Sequence, residues 1–503
     1  MARIGLHDGP SMSVDVTHIA PGAIRFSNRL VLPWLIAIAL FMENLDATII
    51  NTAVPVMAAS LQVEPLALKA VLTSYTLSLA VFIPVSGWMA DRFGTKRVFM
   101  YAVAVFTLGS LLCGLSVNTR MLVISRVIQG IGGAMMTPVG RLVLVRSFDR
   151  SEMITAMNYV VIPALMGPLI GPFAGGLIVN WLPWRFIFFI NLPFGLIGLW
   201  LTRRHMPDFR DEKAPRLDRT GFILFGTGIA LLSYVLEIFG EHHHATSPLV
   251  LMALVAIALL TAYVWHARRT PAPMLQLRLF ATRTFRVAVL GGFITRLGVG
   301  GMPFLLPLLY QIGLGYAPWQ AGLLTMPSAL AAMTMKLAAR RVLARFGHRM
   351  VLAGNTILLG INMMIFSFIT RETPVVCILL LAFMQGFFAS LQFTSMNTLV
   401  YADVGDGDAS KASSIASTAQ QMALSFGVAT ASLVAGWFLQ GVHESDSASF
   451  LHGLHSAFVT LGILTIVSSL LFRELRPTDG DVISSHTPRA GVTAAVATEE
   501  AVD

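Results

Sequence analysis

The sequence is poor in charge and in cysteine. Only 12% of its 503 residues are Asp, Glu, Lys or Arg, against 55% hydrophobic, a balance that excludes an ordinary soluble globular domain. Both of its cysteines, Cys113 and Cys377, fall inside apolar runs, which excludes a disulfide framework and makes them small buried hydrophobes. The sequence also lacks a Gly-x-x-x-x-Gly-Lys-Ser/Thr loop, so ATP is not the driver of whatever it does. It has no Gly-x-Ser-x-Gly elbow, and its connections are too short for a soluble catalytic domain, so no enzyme activity is expected. Short alternating segments are missing too, which excludes a β-barrel. The net charge of +9 does not point to nucleic acid, because the Lys and Arg residues sit in short connections between apolar runs. His242, His243 and His244 are adjacent, with no second ligand cluster at a suitable spacing, so no metal is expected.

What the sequence has is long apolar runs. At 1.5 Å per residue, about 20 residues cross a hydrocarbon core of roughly 30 Å, and such runs recur along almost the whole chain. They predict an all-α integral membrane protein with spans near 30–54, 68–89, 98–117, 121–145, 153–180, 184–202, 220–240, 248–266, 286–311, 318–339, 350–370, 374–400, 411–440 and 453–472. The expected organisation is a cytoplasmic segment 1–28 and a six-helix bundle 29–203. Linkers and two inserted helices follow over 204–285, then a second six-helix bundle 286–473 and a disordered tail 474–503. The first run is too long for a signal peptide, so it is expected to be an uncleaved anchor. An even number of spans places both termini on one side. Most of the 35 Lys and Arg residues fall in connections on that side, which predicts cytoplasmic termini.

The two bundles echo one another. Gly87-Trp88-Met89-Ala90-Asp91-Arg92-Phe93-Gly94-Thr95-Lys96-Arg97 closes the second span, and Arg345-Phe346-Gly347-His348-Arg349 occupies the equivalent turn of the last six. Arg126-Val127-Ile128-Gln129-Gly130 lies in the fourth span, and Met384-Gln385-Gly386 repeats its Gln-Gly pair. Internal repeats of this kind are common in transporters. These tracts resemble the major facilitator superfamily, and specifically its drug:proton antiporter branch with fourteen membrane helices. Leu45 to Pro55 is similar to that branch's first-helix signature, Gly87 to Arg97 to the superfamily's loop between helices two and three, and Gly167-Pro168-Leu169-Ile170-Gly171-Pro172-Phe173-Ala174-Gly175-Gly176 to the antiporter signature of the fifth helix. The resemblance covers nearly the whole chain. It implies two six-helix bundles plus two central helices, export of small lipophilic or drug-like molecules, and a proton gradient as the energy source, with no cofactor. The expected partners are the substrate, protons and the lipid bilayer of a bacterial inner membrane, with no nucleic acid and a monomeric unit.

Ionisable groups inside spans are costly and therefore point to function. Asp46 and Arg126 lead, and Glu43 lies one turn from Asp46 on a similar face. Two acids near one Arg in a low dielectric can hold protons with well-separated affinities, which is what proton coupling needs. The competing reading has Asp46 pairing only structurally, with Asn51 or a backbone group. Arg296 could face an anionic substrate, balance Glu43, or bond a backbone carbonyl. Gln129, Asn51 and Met135 are candidates to line a substrate cavity with it. Lys336 and Glu237 lie nearer span ends, where side chains snorkel to the interface.

Gly167, Gly171 and Gly175, with Gly176 beside them, form a ridge that another helix can approach closely, while Pro168 and Pro172 bend it. The ridge could be a pivot for alternating access or simple packing. At the loop signature, Gly94 permits a tight turn and Asp91 is expected to cap or pair with Arg92, Lys96 or Arg97. That would make a latch; the competing reading is plain positive-inside charge, since Arg and Lys are expected there anyway. Trp184 to Pro193 is read as an interfacial anchor and packing element. A carrier of one metabolite or organic anion, or a membrane sensor without transport, are the alternatives.

Overall fold

The computed structural model describes residues 31–211, 216–242, 247–441 and 446–481. The expected N-terminal segment 1–28, His243, His244 and most of the expected tail lie outside those residues. Within them the chain is helical: α1 (Val31–Leu61), α2 (Lys69–Phe93), α3 (Thr95–Gly114), α4 (Thr119–Ser147), α5 (Arg150–Trp181) and α6 (Asn191–His205) make the first bundle. The inserted pair is α7 (Arg219–His242) and α8 (Ser247–Arg269). The second bundle opens with α9 (Arg283–Val299), which continues through Met302–Leu308 into a π-turn at Leu309–Gly313.

Among the described residues thirteen helical segments are long and apolar enough to cross a membrane, but one of them, Pro318–Phe368, runs to 51 residues. A straight helix of that length would reach about 75 Å, more than twice a hydrocarbon core. It is folded at Gly347, whose φ of 70° and ψ of 163° leave the helical region. Residues 318–346 are therefore α10 and residues 348–365 are α11. With α12 (Val375–Leu399), α13 (Ala409–Phe438) and α14 (Ser447–Ser468), the fold is two six-helix bundles with two additional central helices. Gly94, at the corresponding turn of the first bundle, has φ 95° and ψ 138°, so the same glycine-dependent corner recurs in both halves. Cys113 is buried as expected, but Cys377 is exposed. It is the third residue of α12 and faces outward, which hydropathy alone does not reveal.

The side on which α1 begins is called here the terminal side. On the far side the halves share one apolar core: Ile49, Val54 and Met57 of α1 pack in the same cluster as Phe304, Leu308, Leu324, Phe366 and Phe458 of the second half. On the terminal side each half keeps its own. Leu35, Phe99, Phe106 and Met136 form one core, and Phe285, Leu352 and Phe472 join Phe225 and Tyr263 of the inserted pair in another. Hydrogen bonds across the halves follow the same division. Gln311 Nε2 donates to the Thr52 carbonyl (2.9 Å), Ser432 to the Leu66 carbonyl (3.4 Å) and Ser425 to the Thr73 carbonyl (3.2 Å). The molecule is sealed on its far side.

The inserted pair is tied down by one carboxylate. Asp218, preceding α7, accepts from the Gly221 N–H at 2.8 Å and the Met274 N–H at 3.2 Å, and lies 2.7 Å from His266 Nε2 near the end of α8. Burial alone would raise its pKa, but these backbone donors and His266 outweigh burial and hold it below the usual carboxylate range. Stability from such a lowered group is complete above the unfolded pKa of about 3.9 and is lost as pH falls through the lower folded value. Asp218→Ala is therefore expected to cost about 1–2 kcal/mol near neutral pH, as removal of a helix cap does. Thermal melting in detergent should show a gap from wild type at pH 7 that closes below about pH 4. A gap independent of pH would show that the carboxylate's charge is irrelevant.

Candidate functional site

Asp46 lies midway along α1 and is completely buried. Its Oδ2 accepts from Arg126 Nη1 at 2.5 Å, and its Oδ1 accepts from Gln129 Nε2 and Asn191 Nδ2, both at 2.8 Å. Arg126 and Gln129 are three residues apart on α4 and so share a face, and Nη1 also donates to Gln129 Oε1 at 2.7 Å. That helix starts cleanly because Asn118 Oδ1 accepts from the Met121 N–H. Ser110 of α3 closes the network. Its Oγ accepts from Gln129 Nε2 (3.0 Å) and Asn191 Nδ2 (2.9 Å) and donates to the Phe188 carbonyl (3.2 Å). Four helices of the first bundle thus converge on one carboxylate.

Arg126 is 1% exposed. Its Nε donates to the Val71 carbonyl at 3.2 Å, and its guanidinium carbon stands 4.2 Å from the Tyr75 ring centroid and 5.9 Å from that of Phe188, so aromatic faces supplement the Asp46 charge. Removing one partner of a buried pair typically costs about 3–5 kcal/mol, because the other charge is left uncompensated. Tyr75 Oη and Asn191 Oδ1 make no hydrogen bond to any described residue. Asn191 Oδ1 belongs to the same amide that donates to Asp46, so an acceptor lies close by for the O–H that a protonated Asp46 would carry.

Several sequence expectations change. Asp46 does not pair with Asn51. Its amide partners are Gln129 and Asn191, the latter the first residue of α6, delivered to the site by the one-turn helix Phe186–Phe189 that precedes it. The tract Trp184 to Pro193 is therefore part of the site and not only an anchor. A lone Asn in an otherwise apolar span was the available signal, since intramembrane amides hydrogen-bond across helices. Glu43 does not share Arg126 with Asp46. It is half-buried and accepts from Thr137 Oγ1 at 2.7 Å, with Arg141 also within coulombic reach. Gln129 is fully buried in the Asp46 network, and Met135 is packed in the core of the first half. Asn51 is half-buried.

The glycines of α5 face α1. A Cβ on Gly167 would stand 2.8 Å from the Leu45 backbone nitrogen, one on Gly171 would strike Thr48, and one on Gly175 would strike the Ile49 carbonyl. Thr52 Oγ1 donates to the Pro172 carbonyl at 2.8 Å across the same seam. Around the helix the contacts reach the other half. A Cβ on Gly176 would strike the Pro318 carbonyl of α10, and one on Gly322 of α10 would strike the Pro172 carbonyl. So α5 is wedged between the Asp46-bearing helix and the second bundle.

The loop signature is built differently from the expectation. Asp91 pairs with Arg146 at the end of α4 (2.9 Å), not with Arg92, Lys96 or Arg97, of which Arg92 and Arg97 are exposed. The segment after α6 straps across the turn. Thr95 N–H donates to the Phe209 carbonyl, Phe209 N–H to Thr95 Oγ1, Lys96 N–H to Asp208 and Asp211 N–H to the Asp91 carbonyl. Gly94 is required there by its positive φ and because a Cβ would meet Asp208, whereas at exposed Gly87 a Cβ would meet nothing within 4 Å.

The two-bundle fold with its buried charged centre is that of a membrane transporter. The family model of the Major Facilitator Superfamily matches residues 36–428 and 288–499, and the chain belongs to that superfamily. It is therefore a multi-pass membrane transporter and not an enzyme. Within the superfamily it is similar to proteins named MdtD, whose names give multidrug resistance as a candidate role. That of Pectobacterium atrosepticum is 39% identical over 446 residues, 88% of this chain and 95% of the relative. That of Serratia proteamaculans is 40% identical over 428 residues, 85% and 88% respectively. Among solved structures, an inward-facing bacterial homologue of the lysosomal transporter Spinster aligns with a TM-score of 0.64 at 16% identity, covering 92% of this chain and all of that one. A D-xylose–proton symporter aligns at 0.63 and 15%, covering 90% and 98%. At such identities these two establish the fold alone.

Proposed function

We propose that this chain exports small lipophilic or drug-like molecules across a bacterial inner membrane in exchange for protons, with both termini in the cytoplasm. The observation that carries the reading is a fully buried carboxylate paired with a fully buried guanidinium in the middle of the first bundle. A proton on Asp46 cancels the charge that holds Arg126, and α1 then loses its strongest tie to α4. The glycine seam transmits any shift of α1 to α5, and α5 abuts α10 of the other half. Protonation at one carboxylate can in this way bias which side is sealed. Glu43, half-buried and held by Thr137, is a second carboxylate nearer the terminal side, suited to passing protons between Asp46 and the cytoplasm. The relatives' names favour drug-like cargo, and a sparsely charged, adaptable cavity suits it.

Purified protein in liposomes with an imposed pH gradient and an internal pH-sensitive dye tests this directly. Adding substrates from a panel of lipophilic cations and organic acids is expected to evoke proton movement opposite to substrate movement. Substrate transport with no accompanying proton flux would sink the antiport reading and favour a facilitator.

A further inference from the structure

We propose that Arg296 anchors an anion-binding subsite in the second bundle, and that the molecules it takes are amphipathic carboxylates. That such molecules are cargo rests on the transport reading above, whereas their binding does not. Arg296 lies thirteen residues into α9 from Arg283, about 20 Å along the helix, and is only 5% exposed. A cation at such depth is costly and persists where something of opposite charge meets it.

Arg126 has Asp46, but Arg296 has no such partner among the described residues. Its Nη1 donates to the Gly292 carbonyl at 3.1 Å and approaches Met396 Sδ at 3.9 Å, its Nη2 reaches Gln420 Oε1 at the long distance of 3.5 Å, and its plane lies 4.4 Å from the Phe393 ring centroid. Among the described residues no carboxylate pairs with it. A guanidinium carries five N–H donors, so most of its capacity is unused or weakly used.

A Cβ on Gly292 would stand 2.8 Å from Nη1, so the glycine one turn back makes room for the guanidinium. Arg296 lines a cleft between α9, α12 and α13 together with Met396, Asn397, Ala416, Ala419 and Gln420. Asn397 is exposed and Gln420 half-buried, so the cleft has a polar mouth over a wall of Ala and Met. A carboxylate can take two parallel N–H bonds from the guanidinium, and Asn397 and Gln420 can donate to it as well. The cleft itself encloses only about 10 Å³, room for a water-sized group, so a hydrocarbon or aromatic body lies outside it, over the exposed mouth at Asn397.

The test uses full-length protein in nanodiscs and equilibrium dialysis with three probes of one shape: naphthoate, neutral naphthalenemethanol and naphthylmethylammonium. Wild type is expected to bind naphthoate most tightly. Arg296→Gln should weaken naphthoate about tenfold or more, the size of one lost charge-assisted contact, and leave the alcohol within about twofold. Arg296→Lys should fall between, because a point charge lacks the fork. Thermal melting of Arg296→Gln no lower than wild type would show that the loss is not unfolding. Equilibrium dialysis imposes no pH gradient, so binding at this subsite is read separately from the proton-coupling reading. No saturable naphthoate binding, a preference for the ammonium probe, or equal naphthoate affinity in wild type and Arg296→Gln overturns the proposal.

Discussion

Asp46→Asn is expected to abolish substrate-evoked proton flux in liposomes, a loss of at least about hundredfold in coupled transport. Asparagine keeps the shape of the side chain and can still accept from Gln129 and Asn191, but it leaves Arg126 buried without its counter-charge. That alone should lower stability by about 3–5 kcal/mol, as breaking one side of a buried pair does. Loss of activity in the single variant would therefore be ambiguous. The decisive comparison is the double variant Asp46→Asn with Arg126→Gln, in which no charge is stranded. If the pair only fastens α1 to α4, the double variant recovers both melting temperature and transport. If Asp46 carries the coupled proton, melting recovers and proton flux does not.

Gly175→Leu is expected to have a comparable effect for a different reason. A Cβ at that position strikes the Ile49 carbonyl and stands 2.7 Å from Thr52 Oγ1, so accommodation requires α5 to move off α1. Backbone cannot yield as a flexible side chain can, and overpacking of this kind typically costs about 1–3 kcal/mol or more. Because α5 also abuts α10 through Gly176 and Gly322, the displacement should disturb the seal between halves as well. Transport should fall at least about tenfold, with a lower melting temperature. Gly354→Ala is the control: it is an exposed helical position where a Cβ meets nothing within 4 Å, and a helix gains up to about 1 kcal/mol from the exchange. Undiminished transport by Gly175→Leu would show that the seam is neither tight nor part of the cycle.

The seam also shows how far the sequence is informative. Glycines at 167, 171 and 175 announce a close helix approach, because spacing by four places them on one face. They do not say which helix approaches, and the answer is the one that carries Asp46. The Gln-Gly repeat behaves likewise. In each bundle its glycine lets the fourth span cross the second, at Tyr75 and Ser78 for Gly130 and at Ser328 for Gly386. The glutamines diverge, however: Gln129 donates to Asp46, while Gln385 Oε1 accepts from Asn362 at 2.9 Å. Repeated packing is legible from spacing. Repeated chemistry is not, because a glutamine's role depends on what faces it.

The membrane class, the positions of the spans and the short roster of intramembrane charges follow from the sequence alone, because the cost of placing a charge or an open backbone in hydrocarbon acts on each segment locally. Only the tertiary structure decided that Asp46 rather than Glu43 faces Arg126, that Asn191 and Ser110 complete the site, that Asp91 turns to Arg146, and that no acid among the described residues stands beside Arg296. Those choices depend on how each helix is rotated about its own axis. In a span that is apolar all round, rotation is set by packing against helices 80 to 145 residues distant in the chain, the separations of Asp46 from Arg126 and from Asn191, and hydropathy carries no record of it.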